Sequence, residues 1–494
     1  MRNKRFGAFF ILRFLALALI FSATLLLGLN LISYSRLRGG LPAGLKVAGV
    51  NVGGLSQEQA ANRIIKVYSL PVEINYQNAV FQISPSIVGF DLDIEAMLTA
   101  GDLQRLDQPF WEAFWDYLWG KLPEVEEIPL RASLEEDQLR QYLKNEISPR
   151  YDQEAIPSFS LSGSSRFDAG QTGTQLDIER SIPSIRDAFF SASNRSATIY
   201  FSTIDPGRPS FDYLHALLKR NIEVSSFEGI TELYLLDLSS REEIHFALDN
   251  GEEVPPDIAF TAASTMKIPI MLSTFIDQDL PLPDAVDQNL IYMIEQSKNT
   301  SSDRLMELLG GNLGPLVVTE NLQDLGFENT FIAGYYYFGA PLLRAYETPA
   351  NSRNDIFINP DPYNQTVSSE SGMLLDDLYQ CAEFGGGTLL ALYPDQITQG
   401  ECQQMISYLA NNEIGVLIQA GLPDGTKSAH KHGWITEEDG LIHTISDVGI
   451  IYSPGGNYVL CIYLWHPVQL FFDDANLLFA DLSQTIYNYF NIDD

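Results

Sequence analysis

For its 494 residues the chain has little cysteine and little positive charge. Its three cysteines, Cys381, Cys402 and Cys461, are an odd and sparse set, so a disulfide framework cannot be the basis of the fold. Cys381 and Cys402 fall in helix-like sequence and Cys461 in a strand-like run; all three read as buried thiols, with a Cys381–Cys402 bridge as the alternative. Lys and Arg number 30 against 64 Asp and Glu, and the net charge of −34 is spread along the chain. Phosphate contacts need clustered cations, so nucleic acid is excluded as a partner. No His/Cys group has metal-ligand spacing: His430 and His432 stand two apart on an expected strand with no third ligand nearby. Neither a metal nor another cofactor is expected.

The 45% hydrophobic and 11% aromatic content is that of folded protein, and the length leaves room for roughly two to four domains. Residues 1–36 read as an N-terminal anchor. A basic start, Met1-Arg-Asn-Lys-Arg5, precedes the uncharged apolar run Phe14 to Ile32, which has the length of a membrane-spanning helix. Arg13, Arg36 and Arg38 flank it, and the basic start favours an inside N-terminus. No small-x-small cleavage site precedes Arg36, so a retained single-pass anchor is expected, with cleavage as the alternative. Either way the bulk of the chain is expected outside the cytoplasm, at the cell membrane.

An internal repeat follows. Val88-Gly89-Phe-Asp-Leu-Asp-Ile-Glu95 recurs as Thr172-Gly173-Thr-Gln-Leu-Asp-Ile-Glu179. Two small α+β modules are expected, at 40–130 and 131–208. Val47-Ala-Gly-Val-Asn-Val-Gly-Gly-Leu-Ser resembles the opening of the peptidoglycan-binding module of VanW-like vancomycin-resistance accessory proteins. That resemblance implies peptidoglycan as a partner; the alternative is a pair of spacers. Between the copies, Phe110-Trp-Glu-Ala-Phe-Trp-Asp-Tyr-Leu-Trp119 places Trp111, Trp115 and Leu118 in one helical stripe beside Phe114. Core packing or a domain interface is the expected role, with a membrane-surface or glycan contact as the alternative.

Asp205-Pro-Gly-Arg-Pro209 reads as a linker into a third region, 209–494. Phe211 to Asn221 reads as a helix. Hairpins are expected from Glu232–Leu238 with Glu243–Leu248 and from Val448–Tyr452 with Tyr458–Leu464, and a last helix from Ala475 to Phe490. Strands at both ends with helices between give an antiparallel sheet flanked by helices, plus an all-helical lobe.

Three strings in this region carry chemistry. Ser264-Thr-Met-Lys267 puts a serine and a lysine one helical turn apart, ahead of the apolar run Ile268, Ile270, Met271 and Leu272. A lysine against apolar walls loses affinity for its proton and can serve as the base a serine nucleophile needs. Ser297-Lys298-Asn299 precedes a helical pattern ending at Gly310-Gly311, and Lys431-His432-Gly433-Trp434 enters strand-like sequence. The order Ser-x-x-Lys, Ser-x-Asn, Lys-x-Gly resembles that of class A β-lactamases and penicillin-binding serine hydrolases, over roughly residues 210 to 494.

The resemblance implies the serine β-lactamase-like α/β fold and an acyl-enzyme mechanism on a β-lactam or a peptidoglycan-derived peptide. Ser264 would be nucleophile, Lys267 base, Ser297 proton relay, and Lys431 the positive charge drawing in a substrate carboxylate. Asn299 would bind the acyl-amide group. Gly433 would let substrate lie against the strand edge. The backbone N–H groups of Ser264 and Trp434 would form an oxyanion hole, each such donor contributing about 3 kcal/mol. Three departures stand out. Only 33 residues separate Ser264 from Ser297, so the helical lobe is trimmed. Lys298 replaces the usual Asp, and His432 the usual hydroxyl residue, a protonated imidazole being the expected substitute. Finally, counting from Gly326 puts Tyr336 or Tyr337 where the family has its deacylating glutamate. Glu347 is the nearby carboxylate left as a candidate base. A D-Ala-type peptidase or esterase with slow deacylation, and a silent wall-binding scaffold, are the alternative readings.

Overall fold

The apolar run Phe14 to Ile32 lies inside one helix, α1 (Lys4–Arg38), which begins in basic residues and ends at Arg36 and Arg38. The computed structural model describes residues 4–121, 125–168, 170–437 and 439–492. Leu12–Arg38 is long and apolar enough to cross a membrane, a length and composition that fit a span or a signal sequence alike. The chain divides into two units: residues 1–156 with 172–205, and residues 157–171 with 206–494.

In the first unit α1 is followed by the hairpin β1 (Lys46–Val47) and β2 (Val50–Asn51), then α2 (Gln57–Tyr68), β3 (Val72–Tyr76) and β4 (Ala79–Ile83). Ala48 and Gly49, both at positive φ, make the tight turn between β1 and β2. Ser56 and Gln59 close a capping box that starts α2. Next come β5 (Asp91–Leu92), α3 (Ile94–Leu106), α4 (Phe110–Leu118), β6 (Ala132–Ser133), α5 (Glu136–Tyr142) and α6 (Ser148–Tyr151). The hairpin β7 (Phe159–Ser160) and β8 (Phe167–Asp168) leaves for the second unit. β9 (Gly173–Leu176), α7 (Ile178–Phe189), β10 (Ser196–Thr198) and β11 (Phe201–Ile204) complete the first.

The repeated Leu-Asp-Ile-Glu string has one meaning in both copies. A strand ends at Leu92 or Leu176, and the next aspartate caps a helix: Asp93 accepts from the Ala96 N–H, and Asp177 from the Arg180 N–H. One apolar cluster, with Leu45, Val47, Ile64 and Met97, is built from the first copy's buried residues, but the other is shared between the copies. β10 pairs in parallel with β3, and the shared cluster joins Val72, Ile74 and Tyr76 to Leu139, Leu143, Ile182 and Ile185. A single short strand cannot cover its own apolar face, so the second copy completes the first. The stripe on α4 also differs from its expected core role: Trp111, Trp115 and Trp119 are 68%, 61% and 68% exposed, and Phe114 alone among the stripe's rings is buried.

The second unit comprises α8 (Phe211–Ser225), β12 (Ile230–Asp237), β13 (Glu243–Asp249), β14 (Glu252–Val254), β15 (Phe260–Thr261), α9 (Lys267–Asp277), α10 (Asp284–Ile294), α11 (Asn299–Gly310) and α12 (Gly314–Asp324). It continues with β16 (Phe331–Ile332), β17 (Asn364–Thr366), α13 (Ser368–Phe384), α14 (Thr388–Leu392), α15 (Gln399–Ala410), β18 (Lys427–Trp434), β19 (Thr444–Tyr452), β20 (Tyr458–Trp465) and α16 (Phe472–Phe490). An antiparallel sheet runs β14-β13-β12-β20-β19-β18. Its period-2 alternation feeds two cores: Leu233, Leu235, Leu460 and Ile462 face the cluster with α8 and α16, while Tyr234, Leu236, Val459 and Cys461 face the cluster with α9 to α13 and α15. Gly372 lets α13 cross the sheet closely; a Cβ there would lie 2.3 Å from the Tyr234 ring. The result is the β-lactamase-like α/β fold.

Cys381 and Cys402 form a disulfide, with Cα atoms 5.9 Å apart, which corrects the expectation of three thiols. α13 packs on α15, and the two side chains meet across that contact. Cys461 remains a buried thiol.

Candidate active site

Ser264 does not open an α-helix directly. It sits in a 3-10 turn, Ala263–Met266, and α9 begins at Lys267. The turn is entered through Ala263 at φ 49°, a left-handed conformation that disfavours alanine. Two hydrogen bonds hold it there: the Ala263 N–H donates to Asn364 Oδ1 at 2.7 Å, and Tyr336 Oη–H donates to the Ala263 carbonyl at 3.0 Å. Ser297 is likewise at φ 56°. Both serine-bearing turns are thus fixed in sparsely populated conformations at the site.

Lys267 is fully buried and meets four oxygens. Its Nζ lies 2.9 Å from Ser264 Oγ, 3.1 Å from Ser297 Oγ, 2.7 Å from the Ser297 carbonyl and 2.8 Å from Asn299 Oδ1. Burial pushes its pKa well below the ordinary lysine value; the charge of Lys431 lowers it further, and Asp303 opposes. A neutral amine there donates to the carbonyl and the amide oxygens while accepting from the Ser264 hydroxyl. Ser297 Oγ also lies 3.0 Å from Lys431 Nζ, so one hydroxyl bridges two amines, the geometry of a proton relay. Lys431 is buried too, and that burial lowers its pKa to about 7, with Asp447 opposing.

β18 supplies the rest. Gly433 runs so close to the Ser264 turn that a Cβ would lie 2.8 Å from the Ala262 carbonyl and 2.9 Å from Ser446 Oγ. His432 lies buried against Trp434, ring centroids 4.5 Å apart, with its Nδ1 3.3 Å from Asn412 Nδ2. Burial, reinforced by Lys431, drops its pKa to about 2. The imidazole is therefore neutral, which overturns the protonated substitute expected at this position. Lys298 turns away, its Nζ 3.9 Å over the Tyr292 ring. His430 spends both nitrogens on structure, Nδ1 on Asp447 and Nε2 on Gln419, each at 3.0 Å.

The structure therefore brings together Ser264, Lys267, Ser297, Asn299 and Lys431, with His432, Gly433 and Trp434 along the adjoining strand. Glu347 is apart: it is exposed in the segment between β16 and β17, and no side-chain hydrogen bond ties it to these groups among the described residues. Tyr336 stands at Lys267 instead, its ring centroid 5.5 Å from Nζ. Burial raises the phenol's pKa, so it stays neutral. Asp303 and Asn412 were not among the sequence candidates, whereas Tyr336 is one of the two tyrosines that counting from Gly326 had singled out. Asp303 accepts from the Tyr336 N–H at 2.7 Å, and its pKa is raised by burial. Its spacing of four from Asn299 on α11 was the available signal. One trio of groups close enough to hold a cation, Glu232, His245 and Asp257, lies elsewhere in the unit. Glu232 is already occupied, accepting from the Asp257 and Ile258 N–H groups and from the Ser368 hydroxyl.

The β-lactamase enzyme family matches residues 285–490. The extended-spectrum β-lactamase PER-1 of Pseudomonas aeruginosa is 23% identical over 292 residues, covering 56% of this chain and 79% of that protein. Among solved structures, PBP-A aligns at 19% identity and a TM-score of 0.41, covering 58% of this chain and 99% of its own. An ancestral class A β-lactamase aligns at 20% identity and a TM-score of 0.40, covering 55% and 98%. Residues 285–490, most of the second unit, are thus similar to the β-lactamase enzyme family.

Proposed function

We propose that the second unit acylates at Ser264 on a β-lactam or a cell-wall peptide amide, with slow hydrolysis of the acyl-enzyme. The observation that carries this reading is the Lys267 amine 2.9 Å from Ser264 Oγ, together with the Tyr336 ring 5.5 Å from that amine at the position where the family has its glutamate. Lys267 takes the hydroxyl proton as Oγ attacks the carbonyl. Ser297 passes a proton toward the leaving nitrogen and is recharged through Lys431. Asn299 and the strand edge at Gly433 hold the substrate, Lys431 attracts its carboxylate, and the N–H groups of Ser264 and Trp434 receive the oxyanion. Release then needs a base for water, and Glu347 is too remote from the described contacts to be preferred. A D-Ala-type peptidase or esterase running the same acylation fits the same groups.

The setting proposed for this chemistry is extracytoplasmic, with residues 14–32 as a single-pass anchor and the first unit as a peptidoglycan-binding element. The Cys381–Cys402 bridge supports an oxidising compartment. Intact mass of the full chain with a penicillin over time, beside Ser264→Ala, tests the reading. A long-lived adduct absent from the variant is expected. Rapid loss of the adduct with drug consumed would replace slow release by true β-lactamase turnover. Labelling of the variant would remove Ser264 from the mechanism.

A further inference from the structure

The α4 tryptophans are the unabsorbed feature. Trp111, Trp115 and Trp119 fall four apart, so they share one side of α4 and its end, and all three are exposed. Three of the chain's five tryptophans thus face away from the protein on a stretch of nine residues. Leu106, just before α4, is exposed as well. A soluble surface gains nothing from such a face, since an exposed indole forfeits its large burial energy.

The opposite side of α4 fixes its location. Tyr34, near the end of α1, is buried against Phe110, Phe114 and Tyr117, with ring centroids 5.4, 5.4 and 5.2 Å away. Arg38, the last residue of α1, stands 5.1 Å from the Phe110 ring centroid and donates to the Gln108 carbonyl at 2.7 Å. Arg105 donates back to the Arg38 carbonyl at 3.1 Å. The helix therefore cannot drift from the point where α1 leaves its apolar run at Ile32. Arg36, exposed at the α1 end of this stretch, matches the anionic headgroups of a bilayer, while Lys121 pairs with Asp116 at 3.5 Å.

We propose that α4 is an interfacial helix: its three tryptophans insert into the headgroup boundary of the bilayer that α1 crosses and hold the first unit against the membrane surface. Indoles have the chemistry for this layer, an apolar body with one N–H donor, and they concentrate there in membrane proteins. The inference rests on the anchoring reading of α1. It makes the aromatic helix a second, non-spanning contact with the same membrane.

The test uses the full chain reconstituted in phosphatidylcholine vesicles containing phosphatidylglycerol, with and without lipids brominated near the headgroup end of the acyl chain. Bromine quenches indoles it can touch. The larger part of the tryptophan emission is expected to be lost in brominated vesicles. Replacing the three together (Trp111→Gln, Trp115→Gln, Trp119→Gln) is expected to leave only the emission of Trp434 and Trp465, unquenched, with circular dichroism unchanged. Equal emission from plain and brominated vesicles would overturn the proposal, as would quenching that survives in the triple variant. Alkaline carbonate extraction of the same vesicles separates the two readings. A chain that resists extraction but shows no quenching keeps its anchor and loses the interfacial helix; a chain that is extracted and unquenched loses both.

Discussion

Two buried lysines share the hydroxyl of Ser297, and the charge of Lys431 holds down the readiness of Lys267 to carry its own. The base role needs Lys267 neutral, so acylation falls as pH drops through its lowered pKa. Asp303 raises that pKa by its charge. Asp303→Asn removes that negative charge, and the acid limb of covalent labelling is expected to move to lower pH; a limb that stays put or moves upward sinks the assignment. Lys431 needs the opposite state. Above about pH 7 it loses its proton, so labelling by a β-lactam with a free carboxylate is expected to decline there, while the methyl ester of the same drug shows no such decline. Matching alkaline limbs for both compounds would take carboxylate recognition away from Lys431. Ser264, Lys267, Ser297 and Lys431 were legible because each lies in a short string whose spacing is local. Tyr336 was legible as one of two tyrosines by counting from Gly326, but Asp303 and Asn412 were not, because they come from α11 and the segment after α15 and reach the site only in the folded unit.

At the scale of elements, the hairpins around β12 and β20 and the helices α8 and α16 followed from alternation and helical periodicity, with ends displaced by a few residues. Packing between elements was less legible. Cys381 and Cys402 are separated by 21 residues, and nothing in their own helical patterns says that α13 and α15 lie side by side. Closing a loop of that size stabilises by about 3 kcal/mol in the chain-entropy account. Cys381→Ser with Cys402→Ser is expected to lower the thermal midpoint of the second unit while leaving Ser264 labelling at low temperature intact. An unchanged midpoint in calorimetry would mean the bridge is dispensable. The tryptophan stripe was misread for a related reason: periodicity reports that a helix has an apolar side, and the neighbours of α4 decide which side is covered.

For the whole molecule, the linker at 205–209 was readable from Pro and Gly, but the earlier excursion of residues 157–171 was not. That hairpin belongs to the second unit. The Ser160 N–H donates to Tyr213 Oη at 2.7 Å, whose hydroxyl returns to the Ser160 carbonyl at 2.7 Å. Gly163 N–H reaches Asn221 Oδ1 at 2.8 Å, and Asn488 reaches the Ser165 carbonyl at 2.7 Å. Phe167 lies edge-on to Tyr489. A fragment starting at residue 209 loses these contacts, each hydrogen bond contributing roughly 1 kcal/mol net. It is expected to melt below the second unit of the intact chain; equal midpoints would make the hairpin passive.

Because the chain passes between the units at 156/157, 171/172 and 205/206, a protease that severs the exposed Asp205–Pro206 region does not shed the second unit. The cut piece stays clasped by residues 157–171, which remain covalently part of the fragment that carries the first unit. Separating the two pieces requires unfastening the clasp, or further cuts at both 156/157 and 171/172, so nicking the linker alone leaves the second unit held.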